Sequence, residues 1–166
     1  MRKLLLLAAV AAVSGWPQAN RFVGAWRLVS VEGHPAGLPG LFDDHPTGML
    51  MYLPTGQMSA QIAAKGNRKP FAPFNEGRRA ATTEEKAAAF DSYLAYYGTF
   101  TVDEKAGTVT HHIDDYSVPG RRGTDNVRWF EFRDADHLVL IPVEDGKGGR
   151  IARKDATYKL YWERIK

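Results

Sequence analysis

The chain has 166 residues, 44% of them apolar and 25% charged, with 22 Lys and Arg against 19 Asp and Glu and no cysteine. One folded domain fits that length, and disorder does not fit that apolar content. Arg2 and Lys3 belong to a leader-like start; setting them aside leaves 20 basic against 19 acidic side chains, so charge gives no case for nucleic acid or an anionic membrane.

The start itself has a basic Met1-Arg2-Lys3, an apolar run from Leu4 to Val13 and small residues at Val13-Ser14-Gly15. That pattern predicts a secretory signal peptide over residues 1–15, too short to persist as a membrane-spanning helix. An uncleaved anchor is the competing reading. The expected product is a periplasmic or secreted domain over residues 20–166 with no stable membrane insertion. It would rely on its core alone, because no disulfide can form.

A first strand is expected from Phe22 to Glu32, opened by Gly24-Ala25-Trp26, followed by a Gly- and Pro-rich loop from His34 to Pro46. Met49–Leu53 and Gln57–Ile62 then read as a hairpin across Pro54-Thr55-Gly56. The polar 64–81 stretch, with Pro70 and Pro73, suits a long loop over a barrel mouth. Thr82 and Glu85 have the spacing of a capping box. Phe90, Tyr93, Leu94 and Tyr97 recur at i, i+3, i+4 and i+7, which predicts one apolar helix stripe ending at Gly98.

Thr99–Asp103 and Thr108–Ile113 form a second expected hairpin, and Asn126–Arg133 and His137–Val143 a third. Thr157–Arg164 is the last strand, with Tyr158, Leu160 and Trp162 alternating against Lys159, Tyr161 and Glu163. About eight short strands with one α-helix predict a mainly β fold, a closed antiparallel barrel without exposed edges.

The chain resembles the lipocalin-like domain family, small calycin-type β-barrel proteins. The resemblance rests on Gly24-Ala25-Trp26-Arg27-Leu28-Val29-Ser30, on Pro46–Tyr52 with Gly56–Ala60, and on Thr82–Leu94. Val109-Thr110-His111-His112 and Gly123–Arg128 with Phe130 extend it over nearly the whole expected domain. It implies a lipocalin-like fold, and it carries no particular ligand or reaction. Some relatives in biosynthetic pathways are suspected isomerases or cyclases.

Parity sorts the candidate site residues. Val109, His111 and Ile113 alternate with Thr108, Thr110 and His112, so His111 is expected inside and His112 outside. Asn126, Arg128, Phe130 and Phe132 share a face that the phenylalanines place inward. A buried guanidinium then needs a carboxylate of the protein or an anionic ligand group. The expected ligand-binding set is Tyr52, Ser59 (or its neighbour Met58), Phe100, His111, Asn126, Arg128 and Phe130, aromatic walls with a few polar groups. Trp26 is expected to seal the closed end under a stacked Arg164.

The paired arginines Arg78-Arg79 and Arg121-Arg122 read as solvated loop residues. Asp43-Asp44-His45 with His34, and His111 with Asp114 and Asp115, contain metal-ligand types without a specific spacing, so neither a metal nor a cofactor is expected. The principal functional expectation is an exported binding barrel for a small hydrophobic or amphipathic molecule, with room for an anionic group at Arg128. The alternative is an isomerase- or cyclase-type enzyme with His111 as acid/base. A third reading is an interaction module whose barrel is packed solid.

Overall fold

Short alternating segments with tight turns between them can bury one face each only by curling into a closed sheet. The computed structural model describes residues 21–33, 45–65, 70–71, 79–143 and 149–166. The leader, His34, Asp43, Asp44, Arg78, most of the 64–81 stretch and most of the Gly-rich 145–149 stretch lie outside the described residues.

Eight strands close the barrel in sequence order: β1 (Gly24–Gly33), β2 (Thr47–Tyr52), β3 (Gln57–Ala63), β4 (Tyr93–Asp103), β5 (Thr108–Tyr116), β6 (Asp125–Phe132), β7 (His137–Pro142) and β8 (Tyr158–Arg164). Every neighbouring pair is antiparallel, and β8 returns to β1 with Trp26 opposite Arg164. The β2–β3, β4–β5 and β6–β7 turns share one end, the floor. The strand ends joined by the four longer connections, 34–46, 64–92, 117–124 and 143–157, lie at the other, the mouth.

The floor is sealed from inside. Phe22 sits just before β1 rather than within it and is fully buried, packed edge-on against Tyr52, Phe130 and Phe132 at 5.3, 5.1 and 4.9 Å. Trp26 is also fully buried, its indole N–H donating to the Phe22 carbonyl at 2.7 Å. The Arg164 guanidinium lies 4.1 Å from the Trp26 ring and donates to the carbonyls of Val23, Arg21 and Ala135. A Cβ on residue 24 would stand 2.7 Å from Arg164 Nη1, and Gly24 has φ of +133°. The Gly24-x-Trp26 spacing thus lets an arginine pass over the glycine and stack on the tryptophan.

One α-helix, α1 (Thr83–Asp91), has both halves of the expected capping box: Thr82 N–H donates to Glu85 Oε2 at 2.8 Å and Glu85 N–H to Thr82 Oγ1 at 3.2 Å. It is shorter than the apolar spacing predicts and buries none of its residues. The chain turns at Ser92, and Tyr93 to Gly98 belong to β4, paired with β3 from Ala63 opposite Tyr93. Tyr93, Tyr96 and Tyr97 favour a pleated surface, and here pairing outweighs helical spacing. Gly98 ends no helix.

Two bulges adjust the inward set. In β1 the extra residue Val29 moves the inward positions from Trp26 and Leu28 to Val31. In β5 the register shifts opposite Tyr97 and Gly98, so Asp114 is the unpaired residue. Val109, His111 and Ile113 face inward before it and Tyr116 faces inward after it. A Cβ at Gly98 would come 1.8 Å from the His112 carbonyl oxygen, so only glycine fits beneath that bulge.

Candidate functional site

His111 lies at mid-height in β5, 1% exposed, opposite Phe100 on β4 and Asn126 on β6. Its ring is held at both nitrogens: Nε2 meets the Tyr52 hydroxyl at 2.7 Å and Nδ1 the Tyr96 hydroxyl at 3.0 Å. One phenol donates to the unprotonated nitrogen and the other accepts from the N–H. Burial, reinforced by the Arg128 charge and by His112, lowers the imidazole pKa to about 3, so the ring is neutral. Burial likewise pushes the Tyr52 and Tyr96 hydroxyls well above their ordinary range. The Tyr52–His111–Tyr96 chain is a neutral, mutually satisfied unit.

Above it the lining becomes polar. Tyr116 stacks on Tyr96 with ring centroids 5.2 Å apart and planes 2° from parallel. Asn126 is 1% exposed, and its Oδ1 accepts from Arg121 Nη2 at 2.5 Å. Arg121 comes from the β5–β6 connection, 5.8 Å from the Tyr116 ring centroid. That connection is pinned: Gly123 N–H donates to Ile113 O at 2.8 Å, Ile113 N–H to Thr124 O at 2.9 Å, and Thr124 Oγ1 to Arg121 O at 2.7 Å. Arg128 is half-buried and donates to the Val127 carbonyl at 2.9 Å. Its charge reaches Tyr52, Tyr96, His111 and Tyr116.

Two described side-chain atoms are buried without a protein partner, Arg121 Nε and the neutral Trp162 Nε1. An unmatched buried donor costs about 1–3 kcal/mol, more when charged.

Of the residues singled out in the sequence, Tyr52, Phe100, His111, Asn126, Arg128 and Phe130 converge inside the barrel. Ser59 does not. Its strand turns Met58, Ala60 and Ile62 inward, and Ser59 sits on the outer face accepting from the Gln61 side-chain amide. Met58, 3% exposed, takes the inward place. His112 is outside, bonded to Thr101 and to Asp125. His111, Asp114 and Asp115 diverge, the histidine buried and both carboxylates exposed. Among the described residues no group of three or more His, Cys, Asp or Glu side chains could hold a metal ion. None of the described helices is long and apolar enough to cross a membrane.

Sequence reasoning missed Phe22, Tyr96, Tyr116 and Arg121. The sequence pattern carries the first strand back to Phe22 and places Tyr96 within the over-long helix. Tyr116 has the wrong parity for an uninterrupted strand, although Asp114-Asp115 after Val109, His111 and Ile113 breaks the alternation and marks a bulge. Arg121, expected in solvent, turns into the mouth.

A closed eight-stranded antiparallel barrel with a sealed floor and a polar-lined mouth is a binding-barrel architecture. The profile of the lipocalin-like domain family matches residues 23–165, and the chain belongs to that family. Over 94 residues, 52% of this chain and 79% of the relative, it is 36% identical to a 4'-hydroxy-3'-methoxypropiophenone carrier protein of Aspergillus oryzae. Among solved structures, a de novo designed fluorescence-activating β-barrel aligns over 91% of this chain and all of that one, with 10% identity and a TM-score of 0.41. A mutant of the fluorescent protein UnaG aligns over 88% and 97%, with 12% identity and a TM-score of 0.39. At that level neither structure informs the ligand.

Proposed function

We propose that this protein is an exported carrier that holds a small, largely apolar aromatic molecule in its barrel. The observation that carries this is the graded interior: an aromatic floor of Phe22, Phe100, Phe130 and Phe132 rises to hydroxyl, imidazole, amide and guanidinium groups near one mouth. Apolar walls supply affinity and convergent polar groups fix orientation. The carrier named among its relatives takes an aryl ketone with a phenolic hydroxyl, a shape and polarity that suit this gradient. Export rests on the basic and apolar start of the chain. An acid/base role for His111 is less well supported, because the ring is neutral, buried and bonded at both nitrogens.

Titration with the environment-sensitive dye N-phenyl-1-naphthylamine, then displacement by 4'-hydroxy-3'-methoxypropiophenone, tests the reading. Saturable one-to-one dye binding reversed by the aryl ketone or a related phenol supports it. A protein that takes up neither dye nor ketone overturns it. Mass spectrometry of the native protein from its own host, under non-denaturing conditions, would name the molecule carried.

A further inference from the structure

Arg121 reaches a partly buried site although its position in a Gly-rich connection would let it extend into water. Three hydrogen bonds fix the backbone around it, and Asn126 fixes one of its terminal nitrogens. Its Nε stays buried with no protein partner, and among the described residues no carboxylate forms an ion pair with it. The other charge that acts on this part of the barrel is also positive: Arg121 and Arg128 both bear on Tyr96 and Tyr116. A preorganised guanidinium with a spare buried donor, close to phenols that stay protonated, is complementary to an oxyanion.

We infer that Arg121, with Arg128 below it on β6, forms an anion-anchoring site at the barrel mouth, and that the carried molecule is an aromatic acid bound with its carboxylate or comparable oxyanion at Arg121. This rests on the carrier reading above and narrows its ligand class. The apolar body points to the floor, and the charge stays near the mouth, where part of its hydration survives. Arg121 is then the residue that distinguishes ionised ligands from neutral ones of the same shape.

Two dyes with one skeleton separate the inference from the reading beneath it. N-phenyl-1-naphthylamine is neutral, and 1-anilinonaphthalene-8-sulfonate adds a single oxyanion. Arg121→Gln keeps a donor for Asn126 and removes the charge. The expected result is a rise of about tenfold or more in the Kd of the sulfonate with the neutral dye changed less than about twofold, as loss of a charge-assisted contact predicts. Arg121→Lys should fall between, having charge without the fork. In the unaltered protein, rising ionic strength should weaken the sulfonate and spare the neutral dye, a readout that needs no variant. Equal effects on both dyes, no effect on either, or a sulfonate that the neutral dye cannot displace would overturn the anion site. Failure of the unaltered protein to bind the dyes and the aryl ketone alike would instead overturn the carrier reading.

Discussion

The floor and the mouth of this barrel each place an arginine against an aromatic ring, and the two arginines end in opposite states. Arg164 at the floor lies over Trp26 and donates from all three guanidinium nitrogens to carbonyls of Ala135, Val23 and Arg21. Arg121 at the mouth lies near Tyr116, uses one nitrogen on Asn126 and leaves Nε unmatched. The first has every nitrogen bonded to the protein and ties β8 to the segment that opens β1. The second keeps capacity for something the protein does not supply. Hydrogen-bond completeness, more than charge or exposure, separates the structural arginine from the functional one.

The comparison breaks most readily at the floor. Trp26→Ala should cost about 3–5 kcal/mol, the range for removing a fully buried large aromatic, and urea titration should show it as a lowered midpoint. Arg164→Gln should cost about 2 kcal/mol, from lost charge-assisted bonds and the stacked indole. Arg121→Gln should leave stability within about 0.5 kcal/mol, because the bond to Asn126 is kept in a weaker, uncharged form while an unmatched buried donor is removed. Equal losses at Arg164 and Arg121 would erase the distinction.

Between the two ends, His111 makes stability depend on pH. Unfolded histidine binds a proton below its ordinary pKa of 6.5, whereas the folded ring resists until about 3. The unfolded state therefore holds more protons in that window, and stability falls as pH drops through it, on the order of 1 kcal/mol per unit. His111→Gln should flatten this slope, which thermal melts from pH 7 to about 4 would show. Thr82→Ala touches neither end of the barrel. Losing the cap of an α-helix that buries nothing should cost about 1 kcal/mol and leave dye binding untouched.

The fold was legible because alternation and turn residues are local signals: Tyr158, Leu160 and Trp162 against Lys159, Tyr161 and Glu163 place a strand and its faces without neighbours. The capping box at Thr82 and Glu85 is equally local. The stripe from Phe90 to Tyr97 misled because aromatic residues suit either element, and pairing with β3 decided between them. Inside the barrel, His111, Asn126 and Arg128 were found by parity. Tyr96, Tyr116 and Arg121 were not, since the first depends on where α1 stops, the second on a bulge and the third on a loop folding inward. Each is a tertiary outcome.

The bulge at Asp114 reaches further than a local kink. Counting by twos from Ile113 would aim Asp115 into the barrel beside Tyr96 and send Tyr116 to the surface. The unpaired residue advances the phase by one, and an aromatic ring takes the seat that a carboxylate would otherwise fill. The sign of the potential in the mouth is thus set by how many residues stand between two paired positions. Were Asp114 paired in register instead, a carboxylate would face the two guanidinium groups and neutralise them from within, with the composition of the lining strands unchanged.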